Sequence, residues 1–171
     1  MRIPTMRTGR LVLRPFTAAD AEPLHRLMND AEVMQYFPGA SIPALERVER
    51  LVQQQIEHWE EHQLGWWAVT LPATGELIGW NGLQYLPETE EVEVGYLLGK
   101  RYWGQGYATE GARVGLDYGF QTLELGRIVG LVHPENAASR RVLLKLGMTL
   151  TGPVRYFGMD CNHYWIDREP G

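Results

Sequence analysis

Apolar residues recur along this chain with two rhythms, one of period two and one near 3.6, and their order predicts alternating strands and helices. Residues 8–16 alternate, with Leu11 and Leu13 on one face, and predict a first strand that Pro15 ends. Thr17 then caps a helix over 17–30, whose apolar side carries Ala21, Leu24, Leu27 and Met28. Residues 36–41 contain Pro38 and Gly39 and read as a loop bearing the aromatic pair Tyr36 and Phe37. Pro43 opens a second helix, in which Leu45, Val48, Val52, Ile56 and Trp59 repeat at helical spacing and Glu and Arg fill the other face.

Strand patterns over 65–71, 76–86 and 90–98, with turns at 72–75 and 87–89, predict an antiparallel meander. Gly79 and Gly82 inside the second of these signal a bulge or a close backbone contact. A glycine-bearing loop follows, then a helix over 106–121 and a short apolar strand over 127–132. Strand, helix, strand makes a βαβ unit and implies a locally parallel pair. Residues 133–136 break the strand, Asn136 caps a helix to about Leu146, and Gly147 stops it. The tail reads as a closing hairpin, with Tyr156, Phe157, Tyr164, Trp165 and Ile166 around 158–162. No repeat or linker interrupts the pattern, so residues 1–171 are expected to form one domain.

The charge balance narrows the function. Sixteen basic against 21 acidic residues give a net charge of −5, which opposes general nucleic-acid binding and is compatible with a cationic substrate. The one cysteine, Cys161, excludes an intramolecular disulfide and a cysteine metal cluster. The first residues lack an apolar signal core and no run approaches a membrane span, so a cytoplasmic location with no membrane partner is expected. Met6 is an alternative start to Met1. His58 and His62 lie one turn apart, as metal ligands can, but no third ligand is evident, and they are expected on a solvated face with no metal.

Candidate chemistry centres on the glycine loop. Arg101, Gly104 and Gly106 give the spacing R-x-x-G-x-G between a strand and a helix, a context in which backbone amides and a helix N-terminus can hold a pyrophosphate. No Lys-Ser/Thr pair follows Gly106, so nucleotide hydrolysis fits poorly. The dinucleotide fingerprint is also missing, since Thr109 stands where its third glycine belongs. The second strand-to-helix junction, at 132–139, is expected to open on the same edge of the sheet.

The stretch from Tyr102 to Glu110 resembles the acetyl-CoA pyrophosphate loop of the GCN5-related N-acetyltransferases, in the form found in the ribosomal-protein N-terminal acetyltransferase branch. Asn136 to Ser139, followed by Lys145 to Met148, resembles that branch's second motif, and the opening 8–14 and the closing Tyr-Phe-Gly hairpin fit as well. The resemblance covers nearly the whole chain. It implies a mixed α/β fold, with a mostly antiparallel twisted sheet of about seven strands flanked by about four helices. It also implies acetyl-CoA as cosubstrate and direct attack of an amine on the thioester. Backbone amides from Arg101 through Gly104, Gln105, Gly106, Tyr107 and Ala108 would hold the pyrophosphate, with charge added by Arg101. The backbone of Tyr96, Leu97 and Leu98, splayed from the neighbouring strand, would pair with the pantetheine arm. Asn136 would hydrogen-bond that arm and Ser139 would sit near the sulfur. Arg140 and Arg141 would reach the adenosine phosphates or remain solvated. Many relatives place a tyrosine acid in the helix after Asn136; here that position is Leu143, which leaves Ser139 as the hydroxyl donor.

A lysine-like amine, of pKa roughly 10.4, costs ~3–4 kcal/mol to deprotonate at pH 7, whereas an α-amine at roughly 7.7–8.0 needs only a modest base. Glu93 is the candidate base, with Glu91 on the same strand face as fallback and surface charge as the alternative for both. Tyr36, Phe37, Trp80 and Tyr85 are expected to shape an acceptor cleft for a protein N-terminus or a small amine. A non-catalytic CoA-binding module and a ligand-free structural domain are the alternatives. The tail strands leave monomer and homodimer both open.

Overall fold

Among the described residues, eight strands form one sheet: β1 (Met6–Arg7), β2 (Val12–Arg14), β3 (Trp66–Thr70), β4 (Leu77–Leu86), β5 (Glu91–Leu98), β6 (Arg127–Val132), β7 (Thr149–Tyr156) and β8 (Met159–Asp167). Five α-helices among the described residues accompany it: α1 (Ala21–Met28), α2 (Ala31–Met34), α3 (Leu45–His62), α4 (Tyr107–Asp117) and α5 (Ala137–Lys145). The computed structural model describes residues 2–156 and 158–171. Met1 and Phe157, named above for the chain start and the closing hairpin, lie outside them.

The sheet order is β1-β2-β3-β4-β5-β6-β8-β7. The expected meander is present, with β3, β4 and β5 antiparallel in turn. The expected parallel pair is β5 with β6. The eighth strand is the short β1, which pairs with β2 through Met6 and Arg7. The region expected as one helix over 17–30 is a 3₁₀ turn at Ala18–Asp20 leading into α1. Asp20 fixes that turn by accepting from the Thr17 amide at 2.8 Å while Arg14 clamps both its oxygens at 2.8 Å. At its C-terminal end α4 widens into a π-helical turn over Tyr118–Thr122.

Alternation along the strands sorts the core onto the two faces of the sheet. Trp67 and Val69 join a cluster with α4 and α5, through Ala112, Leu116 and Leu143. Ala68, Trp80 and Leu97 join another with α1, α2 and α3, through Leu24, Met34, Val48 and Val52. Trp59, Trp67 and Tyr118 lock together with centroids 4.9–5.7 Å apart. The glycines of β4 mark close contacts: a Cβ on Gly79 would stand 1.9 Å from the Leu97 carbonyl oxygen, and one on Gly82 would stand 2.1 Å from that of Gly65.

Two expectations change here. The last strand starts earlier than expected, since β8 begins at Met159 and Cys161 is buried within it. His58 is not on a solvated face: it is half-buried, its Nε2 accepts from the Tyr85 amide at 3.2 Å, and burial pushes its pKa down. Among the described residues no group of three His, Cys, Asp or Glu side chains could hold a metal, and no helix is long and apolar enough to cross a membrane.

Candidate active site

The site begins where β5 and β6 part. Their register contains one pair, Glu93 with Val129, although β5 runs on to Leu98 and β6 to Val132. Beyond Glu93 the β6-facing edge of β5 therefore has no strand partner among the described residues. The loops leaving both strands, 99–106 and 133–136, open into one cavity of about 1390 Å³. That exceeds the roughly 300–1,000 Å³ of a typical single-ligand site and leaves room for two reactants.

The first junction is the glycine loop. Gly104 and Gly106 have φ of +72° and +82°, a left-handed backbone that a side chain would strain. Nothing lies within 4 Å of a Cβ placed on Gly104, so the loop surface there is open. The amide of Glu110 bonds to the Gly106 carbonyl at 3.0 Å, closing the first turn of α4. The amides before it are left without an intrahelical partner, as at every helix start. Gly104, Gly106, Tyr107 and Ala108 line the cavity, so this end offers donors and positive helix-end potential to an anion. Arg101 lies elsewhere: its side chain is 78% exposed and faces Glu76 at 3.8 Å, outside the cavity wall. The Gln105 side chain also turns away, to the Arg101 carbonyl at 3.2 Å.

The second junction starts α5. The Asn136 Oδ1 accepts from the Ser139 amide at 3.1 Å, an N-cap that leaves the Asn136 amide nitrogen free to donate. Asn136, Ser139 and Arg141 line the cavity and Arg140 does not. Leu143 is 2% exposed and belongs to the core.

Glu93 sits between the junctions and lines the cavity. It keeps some accessible area there. Even so, its protein surroundings are deep enough that burial pushes its carboxyl up to about 8, against a hydrogen bond from the Leu131 backbone that lowers it. A carboxylate at that value in a cleft is poised to exchange a proton near neutral pH. Glu91, the fallback, is outside the cavity wall and meets His163 Nε2 at 3.1 Å.

A group not anticipated as a side chain completes the centre. Tyr96, expected to act through its backbone, places its hydroxyl 2.8 Å from Ser139 Oγ. Burial holds this phenol above the ordinary tyrosine range, and the nearby Glu93 charge adds to it, while the Ser139 bond acts the other way. A phenol thus enters from β5, not from α5.

The remaining wall is aromatic. Trp66 and Trp80 stack with centroids 3.6 Å apart and planes 6° from parallel, and Phe37 tilts over Trp80 at 6.2 Å. Tyr36 donates to the Glu135 carbonyl at 3.3 Å and so ties the 36–41 loop to the second junction. Trp66 is a wall residue that the strand pattern alone did not single out. Tyr85, expected beside Trp80, lies outside the cavity wall and packs on His62 at 5.0 Å.

A family model described as an acetyltransferase (GNAT) domain matches residues 10–149. The chain is 32% identical over 155 residues to uncharacterized N-acetyltransferase YoaA of Bacillus subtilis (strain 168), covering 90% of this chain and 88% of the relative. Among solved structures, an acetyltransferase from Agrobacterium tumefaciens str. C58 aligns with a TM-score of 0.83 at 30% identity, covering 98% of this chain and 96% of that one. RimL, a ribosomal L7/L12 alpha-N-protein acetyltransferase solved in complex with coenzyme A, shares the fold with a TM-score of 0.83 at 19% identity, covering 96% of this chain and 98% of that one.

Proposed function

Because the chain belongs to the GNAT acetyltransferase family, we propose that it moves the acetyl group of acetyl-CoA by direct attack onto a primary amine, with the α-amine of a protein N-terminus or a small amine as acceptor. The observation that carries this reading is Glu93, a carboxyl held at about 8 in the wall of a cavity that both strand-to-helix junctions also line.

The residues present suit that cosubstrate. The open surface at Gly104 and the start of α4 offer the pyrophosphate its amides. The free edge of β5 over Tyr96, Leu97 and Leu98 offers the pantetheine arm a strand to pair with, and Asn136 offers it an amide donor. When bound, the thioester supplies an activated acyl carbon. Glu93 takes the proton that the amine loses as the new carbon–nitrogen bond forms. Ser139 donates a hydrogen bond to the sulfur as the carbon–sulfur bond breaks and the thiolate leaves, a group that takes up its proton near a pKa of roughly 8.5. The stacked Trp66 and Trp80, with Phe37, present an apolar wall to the acceptor.

Proton affinities favour an α-amine. A base at about 8 is matched to an amine of roughly 7.7–8.0, but leaves a lysine-like amine of roughly 10.4 mostly protonated. Thiol release from acetyl-CoA, followed with peptides of varied N-termini and with small amines, tests the assignment. Release that depends on an acceptor is expected; acetyl-CoA left intact by every amine rejects it.

A further inference from the structure

The proposed reaction gives Ser139 a task and leaves Tyr96 without one. We propose that Tyr96 is a positioning residue for acetyl transfer: its hydroxyl fixes the Ser139 hydroxyl in the orientation that donates to the leaving sulfur. This rests on the role of Ser139 proposed above.

Ser139 is held at three points. Its amide donates to Asn136 Oδ1 at 3.1 Å, its Oγ lies 2.8 Å from the Tyr96 hydroxyl in a contact where either oxygen can donate, and its carbonyl oxygen accepts from that same hydroxyl at 3.2 Å. A serine hydroxyl otherwise rotates freely, and within a helix it tends to turn back onto a carbonyl one turn earlier. Each hydroxyl of the pair carries one proton. The Tyr96 proton has two acceptors in reach, the Ser139 carbonyl at 3.2 Å and the nearer Oγ at 2.8 Å; the positioning role assigns it to Oγ, and the serine proton, having no place on Tyr96, is then left for a third partner. Both residues line the cavity, so that partner is whatever the cavity holds.

Relative acidity decides between positioning and proton donation. An ordinary phenol ionises near roughly 10 and an ordinary thiol near roughly 8.5, so a phenol gives its proton to a thiolate only uphill. Burial raises Tyr96 further. Tyr96 therefore keeps its proton and acts through Ser139. The chain has leucine at 143, inside the core, and has placed its phenol on β5, one hydroxyl removed from the sulfur.

The plainer alternative is that Tyr96 only fills space, since its ring packs against the core cluster. Phenylalanine fills the same space, so Tyr96→Phe separates the two. The thiol pKa of bound coenzyme A is read from its thiolate ultraviolet absorbance, as a difference spectrum against the protein alone. Tyr96→Phe and Ser139→Ala are each expected to raise it by about half a unit, and the double variant to raise it no further than Ser139→Ala does. With an acceptor in hand, Tyr96→Phe is expected to lower kcat about tenfold with little change in the KM for acetyl-CoA, and to have no effect on top of Ser139→Ala. A bound thiol unmoved by Tyr96→Phe, or effects of the two variants that simply add, overturns the positioning role. A wild-type protein that binds coenzyme A but acetylates no amine overturns the proposed reaction instead, and the thiol titration still reads the Tyr96–Ser139 pair.

Discussion

Arg10 grips Glu110 across a hundred residues of sequence, with Nε 2.7 Å from Oε2 and its backbone amide 3.1 Å from Oε1. Thr8 Oγ1 donates to the same carboxylate at 2.6 Å. Burial pushes the Glu110 carboxyl up, but the bonds from Thr8 and Arg10 outweigh it and hold the group below its usual range. The same guanidinium donates to the Gln105 carbonyl at 2.9 Å and lies 4.4 Å from the centre of the Tyr107 ring. The segment before β2 thus ties down both the glycine loop and the first turn of α4.

Arg10→Ala should therefore loosen the loop more than it destabilises the fold. The ion pair is partly solvated, with Arg10 at 47% exposure, and exposed pairs contribute only about 0–1 kcal/mol to stability. Losing the hold on Gln105 should weaken coenzyme A binding about fivefold, equivalent to about 1 kcal/mol. Calorimetric titration beside a thermal melt checks both halves. An unchanged affinity would show that the clasp does not order the loop.

Glu93→Gln should lower kcat by about 10²–10⁴-fold and leave the KM for acetyl-CoA nearly unchanged, because it removes a base and not a binding group. The wild-type rate should climb with pH and level off above about 8, as Glu93 loses the proton that blocks it. An acceptor amine that ionises well below that value isolates the limb belonging to Glu93. A flat profile with such an acceptor removes Glu93 as the base.

The same carboxyl should make stability depend on pH. Folded, Glu93 keeps its proton up to about 8; unfolded, it releases it near 4.5. Between those values the folded state binds more protons, so this group's contribution falls as pH rises and is constant outside the window. Glu93→Gln abolishes that slope. Its stability relative to wild type should be near zero at pH 4 and reach about 2–4 kcal/mol in its favour by pH 8, read from urea unfolding at each pH. A pH-independent difference would mean that Glu93 is solvated in the folded protein.

Much of the frame was legible from local rules. The meander, the parallel pair and both strand-to-helix junctions follow from periodicity and capping, and Asn136 caps α5 as expected. One error was also legible. Trp80 and Tyr85 are five residues apart on β4, which pairs with β5 in unbroken register, so their side chains point to opposite faces and cannot share one wall. Other features were not readable from local pattern. Glu91 and Glu93 do share a face, and what separates them is His163, which arrives from β8 at the far end of the chain. The Tyr96–Ser139 contact joins residues 43 apart and exists because β5 and β6 diverge, a fact of tertiary packing. The leucine at 143 left Ser139 as the expected hydroxyl donor and gave no sign that a phenol would reach it from β5.

Asn136 has one observed task and one proposed task, and they can be separated. Its Oδ1 caps α5 by accepting from the Ser139 amide at 3.1 Å, and under the proposed reaction its amide nitrogen would donate to the cosubstrate. Serine and aspartate both serve as N-caps, and neither carries that amide. Asn136→Ser and Asn136→Asp should therefore keep the melting temperature close to that of wild type while weakening coenzyme A binding, by about fivefold for one lost hydrogen bond. Asn136→Ala loses both functions. It should weaken binding to the same degree and also cost about 1 kcal/mol, which for a chain of this length lowers the melting temperature by about 2–4 °C. Using serine and aspartate together controls for charge, because a binding defect caused by the added carboxylate would appear with aspartate alone. If both capping variants bind coenzyme A as wild type does, Asn136 holds the helix and nothing more, and the pantetheine arm must find its donor along β5.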